Sequence, residues 1–390
     1  MHYSIDPKNP ALYQDPYPIY DEMRKLGASF YWEEYAHWCF PGFNEVNQLL
    51  RDRRFGNQLE GRSGDSALDR FEQNSLLELE PPAHTRLRRL VNRAFVSRQV
   101  EKQRVRIEKL ANELIDKFES DGHVNLLTAY AEIIPVVVIC ELLGVSTDMA
   151  DQLLLWSHKM VAIYEHGRDE KVEVEANEAT SEFEKFIELQ IEGKRRQPAD
   201  DLLSELILVE EAGDKLSLAE LVATCILLLN AGHEATVHGI GNGVKNILSN
   251  KIDRGHWFSS PDNIKALVEE SLRFDPPLHM FNRFVLEDLE YGGREFKRGD
   301  VIGLMLGSAN RDPAKFSDPN SFDPQRGGIG HVSFGAGIHF CVGAPLARLE
   351  LEIALPVLFK RLPHIRLKGE PDFANRYHFH GLEKLELEWG

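Results

Sequence analysis

The sequence predicts a mainly α-helical fold with a minor β component. Apolar residues recur at helical spacing along most of the 390-residue chain, whereas strand-like segments are few and short. One apolar segment, from Ser217 to about Ser249, is long enough for a helix of roughly 45–50 Å at 1.5 Å per residue. A helix of that length would cross the whole molecule, so we expect it to be central to the fold.

The segments before this helix combine short helices and strands. Residues 17–26 predict a first helix, and residues 30–40 predict two short strands around a turn. An apolar helix is predicted over residues 126–143, bent or interrupted near Pro135. Residues 149–193 are predicted to be helical and become acidic in their second half.

Start and stop signals define the segments from the long helix onward. Ser217 and Glu220 form a capping box at its beginning. Ser260 precedes Pro261 at the start of another helix, which Pro276 ends. The turn Tyr291-Gly292-Gly293 joins two short strands. No internal repeat or low-complexity linker marks a domain boundary.

Charge is distributed unevenly along an acidic chain. The formal net charge is −17, which argues against general binding of nucleic acids. Residues 84–109 nevertheless hold nine Lys or Arg against two Glu, which leaves +7. This segment follows two prolines and predicts a basic amphipathic helix, which is either a solvated face or a docking surface for an acidic partner. Its cations are Arg86, Arg88, Arg89, Arg93, Arg98, Lys102, Arg104, Arg106 and Lys109, and its apolar face is formed by Leu87, Leu90, Val91 and Ala94.

The chain carries no signal-peptide pattern in residues 1–10, and no apolar run reaches the roughly 18 residues that span a bilayer. We therefore expect a soluble cytoplasmic protein. Its cysteines, Cys39, Cys140, Cys225 and Cys341, are far apart, so the spacing of zinc or iron–sulfur sites is missing. Most single cysteines in a reducing compartment are small buried apolar residues.

Cys341 has a different setting, within the segment FGAGIHFCVG at residues 334–343. Three glycines flank the cysteine, and an apolar helical pattern follows from Leu346. Glycines let the backbone approach a flat ligand closely. A cysteine just before a helix N-terminus is favoured as the thiolate, the form that binds iron. On the residues alone, a tight turn around a buried cysteine is equally compatible.

Two further patterns place polar residues on helices. Glu270 and Arg273 share one helix face, as either a buried structural pair or an ordinary surface pair. Gly232, His233 and Glu234 interrupt the long apolar helix, where a glycine costs about 1 kcal/mol relative to alanine. A local opening of the helix that admits a small ligand or water would explain them, as would polar residues that merely reach solvent.

Taken in order, these segments resemble the cytochrome P-450 family of haem-thiolate monooxygenases in its soluble bacterial form. The cysteine loop fits the family pattern F-x-x-G-x-[HR]-x-C-x-G at every fixed position, and residues 270–273 fit its E-x-x-R helix. Residues 310–313 (NRDP) and 322–326 (FDPQR) fit the stretch between them. The resemblance covers nearly the whole chain and implies a single domain over residues 1–390, with the long central helix over the haem.

The resemblance also implies a role for each matched residue. Cys341 would be the axial ligand of haem b, and its thiolate would donate electron density that favours O–O cleavage. Glu270, Arg273 and Arg326 would form a structural group. The other haem-contacting residues would be His84, Arg88, Arg283 and His339 as propionate donors, with Ala231, Phe334, Gly335 and Gly343. The oxygen site would hold Gly232, Glu234, Ala235 and Thr236.

Ala235 departs from the family pattern, which has a threonine directly after the acid. Alanine has no donor, and Thr236 is turned about 100° around the helix. A hydroxyl or carboxyl on the substrate could anchor the proton-delivering water, as the resemblance to polyketide-oxidising members implies. Alternatively, the chemistry is atypical: peroxide-using, C–C cleaving, isomerising or dehydrating. The retained Glu234 favours proton delivery.

The pocket residues that the resemblance implies suggest a substrate class. Leu227, Asn230 and Ala231 share the register of Ala235, and His279, Met280 and Phe281 follow the E-x-x-R helix. Asn230 and His279 either satisfy local backbone groups or bind a polar substituent. We expect a mid-sized apolar substrate that bears such a group, of terpenoid, polyketide or fatty-acid type.

Electrons must come from outside the chain, because it contains no flavin or iron–sulfur module. The resemblance places the basic segment near the cysteine side, where it would steer an acidic ferredoxin or flavodoxin supplied by a reductase. We expect a monomer that uses O2 and binds neither nucleic acid nor membrane. A non-enzymatic haem or ligand sensor is a further possibility, but no partner-binding or DNA-reading module accompanies it.

Overall fold

The structure is a computed structural model that describes residues 1–59, 64–95, 97–165, 167, 169–211, 216–327 and 330–390. The side chains of residues 97, 98, 210 and 211 also lie outside the described part, including that of Arg98 in the basic segment. The chain divides into two compact units. Unit 1 comprises Met1–Gly56, Ile107–Ile133 and Ala235–Gly390, and unit 2 comprises Asn57–Arg106 and Ile134–Glu234.

Helices account for most of the regular structure in the described residues. In chain order they are α1 Pro10–Gln14, α2 Tyr17–Lys25, α3 Phe43–Leu49, α4 Ala67–Asn74, α5 Ala83–Ala94, α6 Ser97–Ile115, α7 Ile133–Leu143, α8 Ala150–Val161, α9 Glu170–Arg196, α10 Leu202–Glu211, α11 Leu218–Ala231, α12 Glu234–Ser249, α13 Arg254–Trp257, α14 Pro261–Phe274, α15 Leu306–Ala309 and α16 Ala344–Arg361. This agrees with the mainly helical fold that the sequence predicts.

The strands are short and all belong to unit 1. They are β1 His2–Tyr3, β2 Phe30–Trp32, β3 His37–Phe40, β4 Phe55–Gly56, β5 His123–Asn125, β6 Phe281–Val285, β7 Leu289–Tyr291, β8 Arg294–Phe296, β9 Val301–Leu304, β10 Arg366–Leu367 and β11 Glu386–Glu388. A six-stranded sheet has the order β1-β2-β3-β9-β6-β4, and β10-β11-β5 form a three-stranded sheet. The predicted hairpin is present as β7 and β8, with Gly292 and Gly293 at positive φ in its turn.

Two apolar clusters form the core around the large sheet of unit 1. One packs Phe40 and Val46 against Ile302, Leu304 and Phe316, among others. The second collects large side chains from α2 and the neighbouring strands, namely Leu12, Tyr20, Met23, Phe30, Trp32, Cys39, Met280, Met305 and Tyr377. These clusters fix β6 and the segment before it, which carries several of the predicted site residues.

Unit 2 is a group of packed helices in which α9 contacts α4, α8, α10 and α11. The amphipathic pattern of α5 is confirmed, because its buried residues include Leu87, Leu90, Val91 and Ala94. Salt bridges neutralise part of the basic segment: Arg86 pairs with Glu220, and Arg106 with Glu141. Lys102 likewise pairs with Asp200, and Arg104 with Glu101. The segment is therefore less positive at its surface than the +7 of the sequence suggests.

The long helix is interrupted, contrary to the continuous rod that its apolar pattern predicts. The capping box of Ser217 and Glu220 is present, but α11 ends at Ala231 and α12 begins at Glu234. A side chain at Gly232 would place its Cβ 2.5 Å from the Leu228 carbonyl oxygen and 3.0 Å from Ile139. The interruption at residues 232–233 agrees with the local opening expected from Gly232 and its polar neighbours.

This segment is also the one described stretch that is long and apolar enough to cross a membrane. It spans Leu218–Ser249, and 61% of its most apolar window is buried inside the protein. The core helices of soluble proteins pass the same test.

Two other elements differ from the sequence expectation. The first helix is α1, which Asn9 caps, rather than α2. The segment near Pro135 begins as a π-helical turn over Leu127–Ala131, and α7 starts at Ile133. Pro135 therefore lies in the first turn of α7, where a missing N–H breaks no helical hydrogen bond.

Candidate haem site

The cysteine loop, residues 334–343, ends directly before α16 and is held by its own backbone. The Cys341 amide donates to the Phe334 carbonyl at 3.0 Å, and a 3-10 turn spans Gly337–His339. Gly335 and Gly337 adopt φ values of +67° and +72°, in the left-handed region that favours glycine. Because α16 begins at Ala344, the positive end of its dipole lies close to Cys341 in the chain.

Cys341 is also the one exposed cysteine of the four. Burial raises the pKa of the Cys140 and Cys225 thiols to about 12, and it raises that of Cys39 as well. A thiol with so high a pKa stays protonated and is a poor metal ligand. The structure thus leaves Cys341 as the cysteine that can reach a ligand, which removes the buried-cysteine alternative left open by the sequence.

Glycines keep the space around this sulfur open. A Cβ on Gly343 would lie 3.8 Å from the Cys341 Sγ, and one on Gly335 would lie 3.4 Å from the Phe281 ring. At Gly337 a Cβ would approach the Leu50 carbonyl oxygen to 2.4 Å. The loop therefore packs tightly against the residues near Leu50. Gly343 adds no side chain beside the sulfur.

The predicted propionate donors lie on both units. In unit 1, Arg283 of β6 is buried, its Nη1 donates to the Asn282 carbonyl at 2.8 Å, and His339 is half-buried in the cysteine loop. In unit 2, His84 is buried and Arg88 is half-buried one turn later on α5. Buried cationic and imidazole side chains of this kind need anionic or hydrogen-bonding partners.

Glu270 and Arg273 form a buried pair that also binds the segment before the cysteine loop. Arg273 donates from Nε to Glu270 Oε2 and from Nη2 to Oε1, both at 2.7 Å. Its Nη1 donates to the carbonyls of Asn310 and Pro319. Arg326 adds a third charge, with Nε 3.4 Å from Glu270 Oε1. The pair is thus a structural contact rather than a surface one.

The interrupted helix exposes a narrow face. Leu227 is half-buried and Ala231 is exposed, although most of α11 is buried. Asn230 is 7% exposed, its Nδ2 lies 3.3 Å from the Met160 sulfur, and its Oδ1 has no hydrogen-bond partner in the described structure. Leu227 and Ala231 are one turn apart, so they form one apolar strip accessible from solvent.

The acid of this segment and the residues after it have different surroundings. Glu234 is buried, with its carboxylate 3.3 Å from His158 and 3.6 Å from His233. Ala235 is half-buried. Thr236 is buried beside the carboxyl of Glu350, whose pKa burial raises well above the usual range.

Two residues expected in the substrate pocket are buried in unit 1. His279 is 1% exposed, and its Nδ1 lies 2.7 Å from the Tyr20 hydroxyl. Met280 is 3% exposed within the second apolar cluster. The chain after α14 turns inward before β6 begins, and the contact of these two residues with substrate stays a prediction. Phe281 is half-buried and faces Gly335 of the cysteine loop.

A buried polar cluster in unit 1 had no signal in the sequence. Asp275 accepts hydrogen bonds from Tyr17 at 2.6 Å and Lys245 at 2.8 Å, and His380 lies 3.2 Å away. Burial alone would raise the pKa of Asp275. Lys245 and His380 outweigh that effect and hold the pKa of Asp275 well below its usual range. Its members come from four distant segments, so only the fold brings them together.

The fold and the cysteine loop together define an α-rich protein equipped to bind a flat iron cofactor through a thiolate. A family model described as Cytochrome P450 matches residues 264–376. The polyketide biosynthesis cytochrome P450 PksS of Bacillus subtilis is 36% identical over 94% of this chain and 91% of its own. The vitamin D(3) 25-hydroxylase of Pseudonocardia autotrophica is 37% identical over 92% of this chain and 89% of its own.

A solved structure gives the same result for the fold. P450BioI, in complex with hexadec-9Z-enoic acid ligated acyl carrier protein, matches with a TM-score of 0.92 and 30% identity over 98% of this chain and 99% of its own. The chain belongs to the cytochrome P450 family. It is therefore a haem-thiolate monooxygenase that uses haem b, O2, a small-molecule substrate and electrons from a redox partner.

The described residues fit that cofactor. Unit 1 contains an accessible cysteine in a glycine loop, a half-buried histidine in the same loop and a buried arginine on β6. These are the donor types that a thiolate-ligated haem with two propionates requires.

Proposed function

We propose that this protein inserts one oxygen atom from O2 into a mid-sized, largely apolar substrate that bears a polar group. The observation that carries the proposal is the accessible Cys341 within its glycine loop, whereas the other three cysteines are buried. Bound haem supplies the activation of oxygen. The substrate class is of terpenoid, polyketide or fatty-acid type.

In this proposal each predicted site residue has one task. Cys341 ligates the iron, and its loop glycines, Gly335 and Gly343, let the backbone approach the haem closely. The propionates are bound by His84, Arg88, Arg283 and His339, while Phe334 and Ala231 contact the haem. Glu270, Arg273 and Arg326 hold the segment before the loop. Gly232, Glu234, Ala235 and Thr236 form the segment at the oxygen site, where Glu234 delivers protons.

The substrate class is supported by the surroundings of four residues. Leu227, Ala231 and Phe281 offer accessible or half-buried apolar surface. Asn230 keeps an acceptor oxygen without a described hydrogen-bond partner, and such a buried oxygen favours a donor group on the substrate. Two relatives carry names that refer to polyketide biosynthesis and vitamin D3, and a third is a complex with a fatty acyl carrier protein.

The central experiment replaces the sulfur. We expect Cys341→Ser to fold but to lose the strongly red-shifted carbon monoxide band that a reduced thiolate-ligated haem shows. Cys225→Ala, at a buried cysteine of α11, serves as the matched control and should keep the band. Product formed under ¹⁸O2 should contain one labelled oxygen. A wild-type protein without that band, or product labelled only from water, would refute the proposal.

The partner in this proposal is an acidic ferredoxin or flavodoxin with its reductase. Arg89 and Arg93 are exposed on α5, although several neighbouring cations pair with acids of unit 2. Electrostatic steering to such a surface falls as salt rises. We expect the rate of haem reduction to fall with ionic strength and to fall further in Arg93→Glu. A rate that is flat across ionic strength would exclude this docking surface.

We also propose that the protein is a soluble cytoplasmic monomer in which residues 1–390 form one domain. Atypical haem-thiolate chemistry and a non-enzymatic sensor find no support in the comparisons, since the relatives named above include a hydroxylase. Measuring whether turnover requires a reduced partner protein distinguishes this proposal from atypical chemistry and from a sensor.

A further inference from the structure

Glu234 is a buried acid with one contact to a solvent-exposed imidazole. Its side chain is 8% exposed, whereas that of His158 on α8 is 55% exposed. The His158 Nε2 lies 3.3 Å from Glu234 Oε2. A proton that reaches the His158 ring from water is therefore one contact away from the buried carboxylate.

The second imidazole beside Glu234 is held differently. His233 is buried, and its Nδ1 lies 2.9 Å from the carbonyl oxygen of Leu229. A carbonyl only accepts, so Nδ1 must donate, and in neutral His233 the proton is on that atom. Its Nε2 then carries a lone pair toward Glu234 Oε2 at 3.6 Å, beyond hydrogen-bond length. Neutral His233 thus has no proton to give to Glu234, and His158 is the neighbour that does.

Other charged side chains lie on α8 itself and on α9. Lys159 follows it on α8, half-buried. On α9, which packs against α8, Glu182 accepts a hydrogen bond from Trp156 at 2.7 Å. The direct contact that carries the argument is the one from His158 Nε2 to Glu234 Oε2 at 3.3 Å.

We propose that His158 is the solvent-side proton relay for Glu234. The inference rests on the proposed function, in which Glu234 delivers protons at the oxygen site, and it adds the residue that reloads the acid. His158 is a positioning and relay residue, because it acts through Glu234.

The transfer conserves protons and charge. Water protonates the Nδ1 of a His158 ring whose Nε2–H already faces Glu234. The imidazolium then breaks its Nε2–H bond and forms an O–H bond on Glu234 Oε2, which leaves neutral His158 and a neutral carboxylic acid. The exposed ring resets by exchanging its remaining proton with water. A histidine suits this task because it changes charge between pH 5 and 8.

Two substitutions separate a relay from a simple ion pair. His158→Gln removes both functions. His158→Arg keeps a positive charge beside Glu234 but has no titratable proton to transfer near neutral pH. We expect both variants to lower the fraction of reducing equivalents recovered as product roughly 3–10-fold, and to increase the solvent deuterium isotope effect. The control His123→Gln, at an exposed histidine of β5, should match the wild type.

Hexadec-9Z-enoic acid and vitamin D3 are the probes for these assays, and the one with the larger shift of the haem absorption band is used for turnover. A normal product yield in His158→Arg alone would mean that the contact is only an ion pair. Normal yields in both variants would overturn the relay. If Glu234→Gln also kept its full yield, the proposed role of Glu234 would fail as well, so the two failures are distinguishable.

A titration independent of turnover tests the contact itself. In ¹⁵N-labelled protein, the ring resonances of His158 are followed with pH. A carboxylate at 3.3 Å favours the protonated ring, so Glu234→Gln should lower the His158 midpoint. The midpoint of His123 should not move. An unchanged His158 midpoint would show that the two side chains do not interact, and the relay would be refuted whatever the product yields.

Discussion

Arg348 of α16 and Glu269 of α14 form an ion pair beside the cysteine loop. Arg348 donates from Nε to Glu269 Oε1 at 2.5 Å and from Nη2 to Oε2 at 3.0 Å. His331 Nε2 lies 3.2 Å from the same carboxylate, and the Arg348 guanidinium lies 4.5 Å from the centre of the Phe334 ring. One carboxylate therefore links α14, the helix after Cys341 and the segment that precedes the loop.

This pair predicts acid sensitivity. Burial alone would raise the pKa of Glu269, but the hydrogen bonds from His331 and Arg348 outweigh it and lower the pKa to about 2. A folded-state pKa below the unfolded value of about 4.3 stabilises the fold above pH 4–5, and that contribution is lost as the pH falls toward 2. Glu269→Gln should lower the free energy of unfolding by about 1–2 kcal/mol at pH 7, a figure discounted for the 29% exposure of Glu269.

Urea denaturation between pH 2 and 7 measures this effect. The difference between wild type and Glu269→Gln should shrink as the pH falls from 5 toward 2. Glu101→Gln, which breaks an exposed pair with Arg104, is the control and should change stability by less than about 0.5 kcal/mol at every pH. A difference between wild type and Glu269→Gln that is constant with pH would contradict the assignment.

The buried pair of Glu270 and Arg273 predicts a larger loss. Both side chains are almost fully buried, at 3% and 2% exposure. Glu270→Gln leaves the guanidinium without its counter-charge, so we expect a loss of about 3–5 kcal/mol in the free energy of unfolding. The same variant should retain less haem after purification, because Arg273 and Arg326 bind the segment before the cysteine loop. Denaturation and the haem-to-protein ratio measure the two effects.

A matched exposed pair supplies the control for that experiment. Lys297 and Asp288 are 68% and 62% exposed, so Asp288→Asn should change stability little. If Glu270→Gln cost no more than Asp288→Asn, the E-x-x-R pair would not be the structural group described above.

Gly337→Ala tests the close approach of the cysteine loop to the residues near Leu50. The substitution adds a Cβ at a φ of +72° and 2.4 Å from a carbonyl oxygen, so the loop must shift. We expect a loss of roughly 1–3 kcal/mol and a change in the haem absorption spectrum. Gly292→Ala, at a φ of +59° with open space around it, should cost only about 1 kcal/mol and leave the spectrum unchanged. Equal costs would mean that backbone conformation, not crowding, explains Gly337.

The sequence predicts the local features of this fold well, because they depend on neighbouring residues. The capping box at Ser217, the hairpin turn at Gly292 and Gly293 and the apolar face of α5 all follow from residues close together in the chain. The cysteine loop does too, since its pattern lies within ten residues. The family is predicted from the order of such segments, and the comparisons confirm it.

What the sequence does not predict depends on distant contacts. His279 follows the E-x-x-R helix, where the family resemblance implies pocket residues, yet its ring contacts Tyr20, 259 residues away in the chain. The basic segment has a net charge of +7 when it is counted along the sequence, because its acidic partners, such as Glu220 and Glu141, lie in other segments. No local sequence pattern indicates a role for Glu350 or His158, because the relevant neighbour of each lies on another element.

Ala235→Thr tests how the missing threonine is compensated. We propose that a polar group on the substrate anchors the proton-delivering water, so a threonine at this position should add little. With the native substrate, Ala235→Thr should change the yield of product per reducing equivalent by less than about twofold. With an analogue that lacks the polar group, the wild type should lose yield and Ala235→Thr should recover part of it, because the new hydroxyl replaces the missing donor. Ala235→Val has a similar volume without the hydroxyl and controls for steric effects. A several-fold gain by Ala235→Thr on the native substrate would show that the enzyme lacks an adequate proton donor, and substrate assistance would then be wrong.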